Sequence, residues 1–228
     1  MESKEELERL GVELLHRETR EAYKKTYDGY QISFFPRMLG NLLVWSGNVV
    51  YGKKPTYLKF RAVEVIARVP YQSWVSAAYT LLTLFYSNEQ KALALSNVTQ
   101  FARIAQDNET MHVVVISQLA KKEYRAGALR YTIIPMLFAF FYFWASYTLY
   151  LINKRYSMEL NYCFENHAFE QYSQFLIDNE EELKNKTISS EFLAWYGRTP
   201  RSQYEFFESV RNDELIHRNM SVHSLQKS

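Results

Sequence analysis

The chain has 228 residues, with 27 Lys+Arg against 25 Asp+Glu, and its formal charge of +2 gives no electrostatic case for nucleic acid as a partner. Seven glycines and five prolines are few for this length, which argues against a many-turned β-sandwich or a glycine-looped nucleotide fold and for long helices. A single cysteine excludes an internal disulfide framework and any multi-cysteine zinc site, while 18 Tyr and 15 Phe point to a large buried or membrane-facing surface.

Residues 1–25 interleave acids with bases and have no apolar stretch, so a secretory or transit segment is not expected there. Six long helices are predicted. The first covers 15–50, with interruptions near Gly29 and Pro36. The others cover 56–87, 90–121, 128–153, 156–185 and 201–219. Turn signals separate them at Gly52-Lys53-Lys54-Pro55, Ser87-Asn88, Arg125-Ala126-Gly127 and Gly197-Arg198-Thr199-Pro200. The charged segment 178–191 reads as a helix end or a loop. Two uncharged runs, Val69–Asn88 (20 residues) and Tyr131–Asn153 (23 residues), have the length that crosses a bilayer. Ile32–Val50 is a third apolar segment, of interfacial character.

Two predicted helices carry the same spacing of metal-competent side chains. Glu109-Thr110-Met111-His112 and Glu214-Leu215-Ile216-His217 each place Glu and His three apart, on one helical face. A carboxylate-bridged di-iron site in a four-helix bundle uses two such helices plus one Glu from each of two others. Glu64 is the only acid between Asp28 and Glu89 and has apolar neighbours; Glu165 is its counterpart, with Glu170 a competitor for the same role. A carboxylate on an apolar face is costly unless paired, protonated or metal-bound. Four carboxylates and two imidazoles suit two iron ions (Fe2+/Fe3+) per chain, oxygen bridging and nitrogen capping. His16, His167 and His223 read as ordinary core or surface histidines, and Cys163 as a small buried hydrophobe.

At these residues the chain resembles the alternative oxidases, non-haem di-iron ubiquinol oxidases, over about residues 50–220. The family motif Leu-Glu-Thr-Val-Ala-x-Val-Pro stands here as Val63-Glu64-Val65-Ile66-Ala67-Arg68-Val69-Pro70. Asn-Glu-Arg-Met-His stands as Asn108-Glu109-Thr110-Met111-His112. Leu-Glu-Glu-Glu-Ala stands as Phe164-Glu165-Asn166-His167-Ala168, with Tyr172 seven residues past Glu165. Arg-Ala-Asp-Glu-Ala-x-His-Arg stands as Arg211-Asn212-Asp213-Glu214-Leu215-Ile216-His217-Arg218. The departures are Val65 for Thr, and Asn166 and His167 for two acids. The plant-type regulatory cysteine is absent.

The resemblance implies an all-α, ferritin-like four-helix bundle with two additional helices, associated with one leaflet of a membrane as a monotopic enzyme. It implies Glu64, Glu109, His112, Glu165, Glu214 and His217 as metal ligands and Tyr172 as the redox-active tyrosine. It implies Lys59, Val63, Ala168, Gln171 and Tyr172 in the quinol pocket, Lys59 replacing the usual Arg. Asn108, Asp213 and Trp195 are implied to orient ligands. On this reading residues 1–50 are an N-terminal arm open to a dimer contact, 51–222 the di-iron domain and 223–228 a tail.

Neither apolar run crosses the membrane on this reading. Crossing at 131–153 would separate Glu109 and His112 from Glu165, Glu214 and His217, and crossing at 69–88 would sever Glu64. Bridged ions lie only about 3.5–4 Å apart. The runs are therefore bundle helices with one lipid-facing side, and Arg37, Lys53, Lys54, Arg125 and Arg130 are placed to meet lipid phosphates. The expected activity is cyanide-insensitive oxidation of ubiquinol with reduction of O2 to water, without proton pumping. The expected setting is a mitochondrial or mitosome-like inner membrane, or a bacterial plasma membrane, with a homodimer as the expected assembly. A di-iron hydroxylase of the demethoxyubiquinone type shares the ligand pattern. A non-catalytic amphipathic membrane-binding protein is the reading from a different class.

Overall fold

The computed structural model describes residues 3–123 and 127–226, which form helices and short connections apart from one isolated bridge between Thr187 and Ser202. Helix α1 (Lys4–Glu13) opens on a reciprocal cap: Ser3 Oγ accepts from the Glu6 N–H at 3.2 Å, and the Glu6 carboxylate accepts from the Ser3 N–H at 2.7 Å. Helices α2 (Arg17–Asp28) and α3 (Phe34–Tyr51) follow. They occupy the stretch expected as one interrupted helix over 15–50, with the interruption at Gly29, which caps α2; α1 was not expected. Pro36 does not interrupt α3, because it lies in the first turn, where its missing N–H has no intrahelical partner to lose.

The helix expected over 56–87 is two, α4 (Tyr57–Ala67) and α5 (Val69–Phe85), broken at Arg68. Pro70 is the cause: it cannot donate to Ile66, and its ring crowds that carbonyl. Helix α6 (Glu89–Glu123) matches the expectation over 90–121. A π-helical turn at Leu129–Ile133 leads into α7 (Ile134–Ile152), again with a proline, Pro135, at the junction. The expected 156–185 helix is α8 (Lys154–Asp178) and α9 (Glu180–Asn185). Short α10 (Glu191–Tyr196) was not expected, and α11 (Gln203–Gln226) continues past the predicted end at 219. Arg125 and Ala126, part of an expected turn, lie outside the described residues.

Helix α8 packs along α11, and α6 along α4 and α5; α7 covers α5, α4 and α8, and α3 lies on α8. Gly40 permits that last approach, since a Cβ there would meet Cys163 Cβ at 3.0 Å. Helices α1 and α2 pack on α11. Two apolar clusters fill the interior. One holds Phe60, Met111, Tyr172, Phe175 and Phe207; the other holds Tyr71, Trp74, Phe101, Ala105 and Leu215. Glu109 stands on α6 between Ala105 of one and Met111 of the other, so the bundle places carboxylates where its two halves meet.

The outer faces of α3 and α7 are apolar and uncovered. On α3, Phe34, Met38, Leu42, Trp45 and Val49 recur at helical spacing and are exposed; on α7, Met136, Leu137, Phe140, Phe141 and Trp144 do the same. Among the described residues, Leu129–Ile152 is the one helical stretch long and apolar enough to cross a membrane, by length and composition alone. The other uncharged run forms α5, which buries Tyr71, Trp74, Ala77 and Ala78 inside the bundle.

Candidate metal centre

The six side chains expected as ligands are all buried and lie together. Glu64 comes from α4, Glu109 and His112 from α6, Glu165 from α8, and Glu214 and His217 from α11. They form two overlapping sets. Glu64, Glu109, His112 and Glu214 offer one set of donor atoms within 4.8 Å of one another; Glu109, Glu165, Glu214 and His217 offer the other. Glu109 and Glu214 belong to both. Each set thus has its own Glu and His and shares two carboxylates, the arrangement a bridged pair of cations requires. Glu170, the competitor on α8, is exposed and accepts from Asn166 Nδ2 at 3.0 Å.

The donor atoms face one another across the centre. Both carboxylate oxygens of Glu109 and of Glu214, Glu64 Oε2, and Nδ1 of His112 and His217 are buried and have no hydrogen bond. His112 Nδ1 lies 3.3 Å from Glu214 Oε1, and His217 Nδ1 lies 2.9 Å from Glu109 Oε1. Buried polar atoms left this way cost stability, so a cluster of them at one point needs something to bind. Four carboxylates and two neutral imidazoles carry the charge to neutralise two divalent cations, and the mixed oxygen and nitrogen donors suit first-row transition metals.

The metal-free electrostatics tell the same story. Burial and the charge of Glu109 raise Glu64 to about 7. Burial followed by Glu109 raises Glu165, and burial with Glu109 and Glu165 pushes Glu214 well up. Glu109 goes the other way: burial opposes its charge, but His112 and His217 outweigh burial and hold it low. Burial likewise opposes the imidazolium forms of both histidines. Glu109, Asp213 and Glu214 nevertheless push His112 well up, and Glu109 with Glu165 raises His217. Without cations the cluster must retain protons.

Surrounding groups orient the six. His112 Nε2 donates to Asp213 Oδ2 at 3.0 Å, which turns Nδ1 toward the carboxylates. Asp213 also accepts from Arg198 at 2.5 and 2.9 Å, and Arg198 is gripped in turn by Glu8 of α1 at 3.0 Å. Gly197, in the left-handed conformation (φ 97°), ends α10 just before Arg198. Asn108 Nδ2 donates to Tyr196 Oη at 3.4 Å. Trp195 is a correction: it is 77% exposed and lies against Phe192 on the outer face of α10. One residue along a helix turns about 100°, so the aromatic that reaches inward is its neighbour Tyr196.

Tyr172 donates a hydrogen bond to Glu64 Oε1, and its ring stacks on Phe60 at 4.1 Å between centroids. A cavity of about 160 Å³ ends against these residues. All of Lys59, Val63, Ala168, Gln171 and Tyr172 line it, as does Glu64. Lys59 Nζ donates to Asn48 Oδ1 (3.0 Å), Lys53 O (3.1 Å) and Gln171 Oε1 (2.8 Å), and burial lowers its pKa. His167, read from sequence as ordinary, also lines the cavity; burial and then Lys59 lower its pKa. The outer walls come from α3 and α7, through Gly47, Val50, Ile134 and Phe138, so the cavity leads from the apolar faces to the carboxylates.

Several residues of the centre were not anticipated. Tyr71 donates to Glu165 Oε1 at 2.6 Å, and Asn161 Nδ2 donates to the same oxygen at 3.0 Å. Asn161 precedes Glu165 by four residues in α8, a same-face spacing that was available to be read. Tyr71, Tyr196, Arg198 and Glu8 have no fixed spacing to the residues they serve.

The sequence profile of the alternative oxidase family matches residues 3–227. A relative, Ubiquinol oxidase 4, chloroplastic/chromoplastic, from Arabidopsis thaliana, is 25% identical over 182 residues, covering 71% of this chain and 49% of that protein. The chain therefore spans about half the length of that relative. No solved structure matches it. With the profile matched almost from end to end on an all-helical fold, the chain belongs to the alternative oxidase family.

Proposed function

We propose that this protein is a di-iron quinol oxidase that passes electrons from ubiquinol to O2, with water as product. The observation that carries the reading is the pair of overlapping donor sets sharing Glu109 and Glu214, reached by a cavity that ends at Glu64 and Tyr172. Glu64 and His112 would hold one ion, Glu165 and His217 the other, and Glu109 and Glu214 both. Bound there, two iron ions would supply one-electron redox steps and a place for O2.

The rest of the work falls to side chains. Two quinols give four electrons and four protons, which balance one O2 reduced to two waters. Lys59 and Gln171 line the cavity with polar atoms that a quinol headgroup could meet, while Val63 and Ala168 give it apolar walls. Tyr172 holds its proton at Oη against Glu64 Oε1, between cavity and carboxylates, and is the group assigned to relay an electron and a proton. Burial first, and then Glu64, raises its pKa well above the ordinary value, which keeps the phenol protonated until it is oxidised. The aromatic wall of Phe60, Phe175 and Phe207 keeps water from the inner side of Tyr172.

The apolar stripes of α3 and α7 support binding to one membrane leaflet, of a mitochondrial or mitosome-like inner membrane or a bacterial plasma membrane. An isoprenoid quinol would then enter from the lipid. Exposed Arg37, Lys53, Lys54 and Arg130 flank those helices; Arg125 lies outside the described residues. The same proposal takes 51–222 as the catalytic domain, 223–228 as a tail and 1–50 as an arm, with a homodimer as the assembly. The test is oxygen uptake by iron-loaded protein with a soluble quinol and cyanide present. Uptake yielding only quinone and water is expected. A hydroxylated product would assign the centre to oxygen insertion, and a folded protein that takes up no iron would reject it.

A further inference from the structure

Tyr71 is fully buried and touches both residues that set the second donor group apart from the first. Its Oη donates to Glu165 Oε1 at 2.6 Å, and its ring meets the imidazole of His217 edge-on, at 5.4 Å between centroids and 61° between planes. Asn161 Nδ2 closes the arrangement, donating to Tyr71 Oη at 2.9 Å and to Glu165 Oε1 at 3.0 Å. Two donors on one oxygen fix the carboxylate's torsion and leave the other oxygen for an ion. Phe101 also lies edge-on to this imidazole at 6.4 Å and packs against Tyr71 at 5.9 Å, so Tyr71, Phe101 and His217 form one aromatic cluster. Glu109 and Glu214, by contrast, have no hydrogen bond on either oxygen.

Tyr172 stands to Glu64 as Tyr71 stands to Glu165, but the two phenols differ in surroundings. Tyr172 lines the cavity; Tyr71 is not among its lining residues. Tyr71 stands in the first turn of α5, one residue after Pro70, among the residues this helix buries. We propose that Tyr71 is the positioning residue of the second half-site, holding Glu165 and His217 in the geometry that binds one of the two ions and taking no part in contact with quinol. This rests on the two-ion reading above.

The experiment is titration of metal-free protein with Co2+, followed by calorimetry and by the visible absorption of the bound ion. Wild type is expected to bind two ions. Tyr71→Phe is expected to bind one as wild type does and the other about 10–100-fold more weakly, with the helical circular dichroism of the metal-free protein unchanged. In a Glu165→Ala background, Tyr71→Phe is expected to add nothing. Should Tyr71→Phe fail to fold, Asn161→Ala removes the partner donor and is expected to give the same one-site loss. In iron-loaded Tyr71→Phe the KM for quinol stays at the wild-type value, and excess iron restores kcat. A wild type with two ions and a Tyr71→Phe protein that binds both equally well, or weakens both alike, overturns the role of Tyr71. A wild type that takes up no Co2+ overturns the centre itself, and the role of Tyr71 with it.

Discussion

Asp213 Oδ2 accepts the Nε2–H of His112 at 3.0 Å, and the guanidinium of Arg198 donates to both oxygens of the same carboxylate. Arg198 keeps Asp213 ionised: burial works against the charge, yet the guanidinium and then His112 hold its pKa well below the usual range. An ionised Asp213 fixes which imidazole nitrogen carries the proton. Asp213→Ala should lower metal affinity by about 10–100-fold, measured by competition with a chelator. Glu8→Ala, one step further out, should change it by less than Asp213→Ala.

Tyr172→Phe removes the phenol but keeps the stack on Phe60. Turnover should fall by about 100-fold or more, as expected for loss of a proton-transferring group. Because Tyr172 also orients Glu64, the rate is compared at full iron loading. Oxygen-electrode rates and iron analysis on the same preparation check both.

Lys59 is 4% exposed and satisfies three acceptors around the polar end of the cavity. Lys59→Met leaves those acceptors without their donor and removes the cation from the cavity wall. The KM for quinol should rise by about tenfold, the scale of one lost charged hydrogen bond. Iron content should stay constant. Steady-state kinetics over a quinol series measures it.

The metal-free protein should be most stable in mild acid. Folding raises Glu64 to about 7, through burial and then Glu109. Its stabilising contribution is therefore full below the ordinary carboxyl range and declines as pH rises toward 7. Glu165 and Glu214, also raised, act in the same direction. So do His112 and His217, whose contribution is present below the unfolded value and lost as pH rises through their elevated ones. Glu109 and Asp213 are depressed and act oppositely: their contribution is present above the ordinary carboxyl range and lost as pH falls through their low values. Melting temperature with chelator present should peak near the ordinary carboxyl value, about pH 4.5, and fall as pH rises toward 7. Divalent metal, which displaces the retained protons, should move that peak upward.

The apolar stripes predict a membrane-binding face. Trp45 is 63% exposed on α3 and Phe141 66% exposed on α7. The double variant Trp45→Glu, Phe141→Glu should lose most of its co-flotation with lipid vesicles while its helical circular dichroism persists. Undiminished flotation would contradict the assignment of that face.

The centre was legible in the sequence because its chemistry is periodic. Glu109 with His112 and Glu214 with His217 repeat one spacing, and Glu64 is isolated among apolar neighbours. Helix periodicity brings such residues to one face, and the bundle needs no other instruction to converge them. What was not legible depends on tertiary contact. Arg198 reaches Asp213 only because Gly197 ends α10 there, and Glu8 reaches Arg198 from a helix 190 positions away in sequence. Trp195 and Tyr196 differ by one helical step, so a motif register one residue off exchanges an exposed ring for an inward one. The break at Arg68 was signalled by Pro70, two residues on, but helix-forming residues on both sides read as one continuous helix. Helix α1 was hidden by mixed charge, although Ser3 and Glu6 carried its cap.

Iron bound per chain, together with the metal–metal distance from X-ray absorption, tests the central claim most directly. After anaerobic loading with ferrous iron, about two ions per chain are expected, with a metal neighbour at about 3.5–4 Å. A folded protein that holds no iron, a single ion, or ions without a metal neighbour in that range would contradict it.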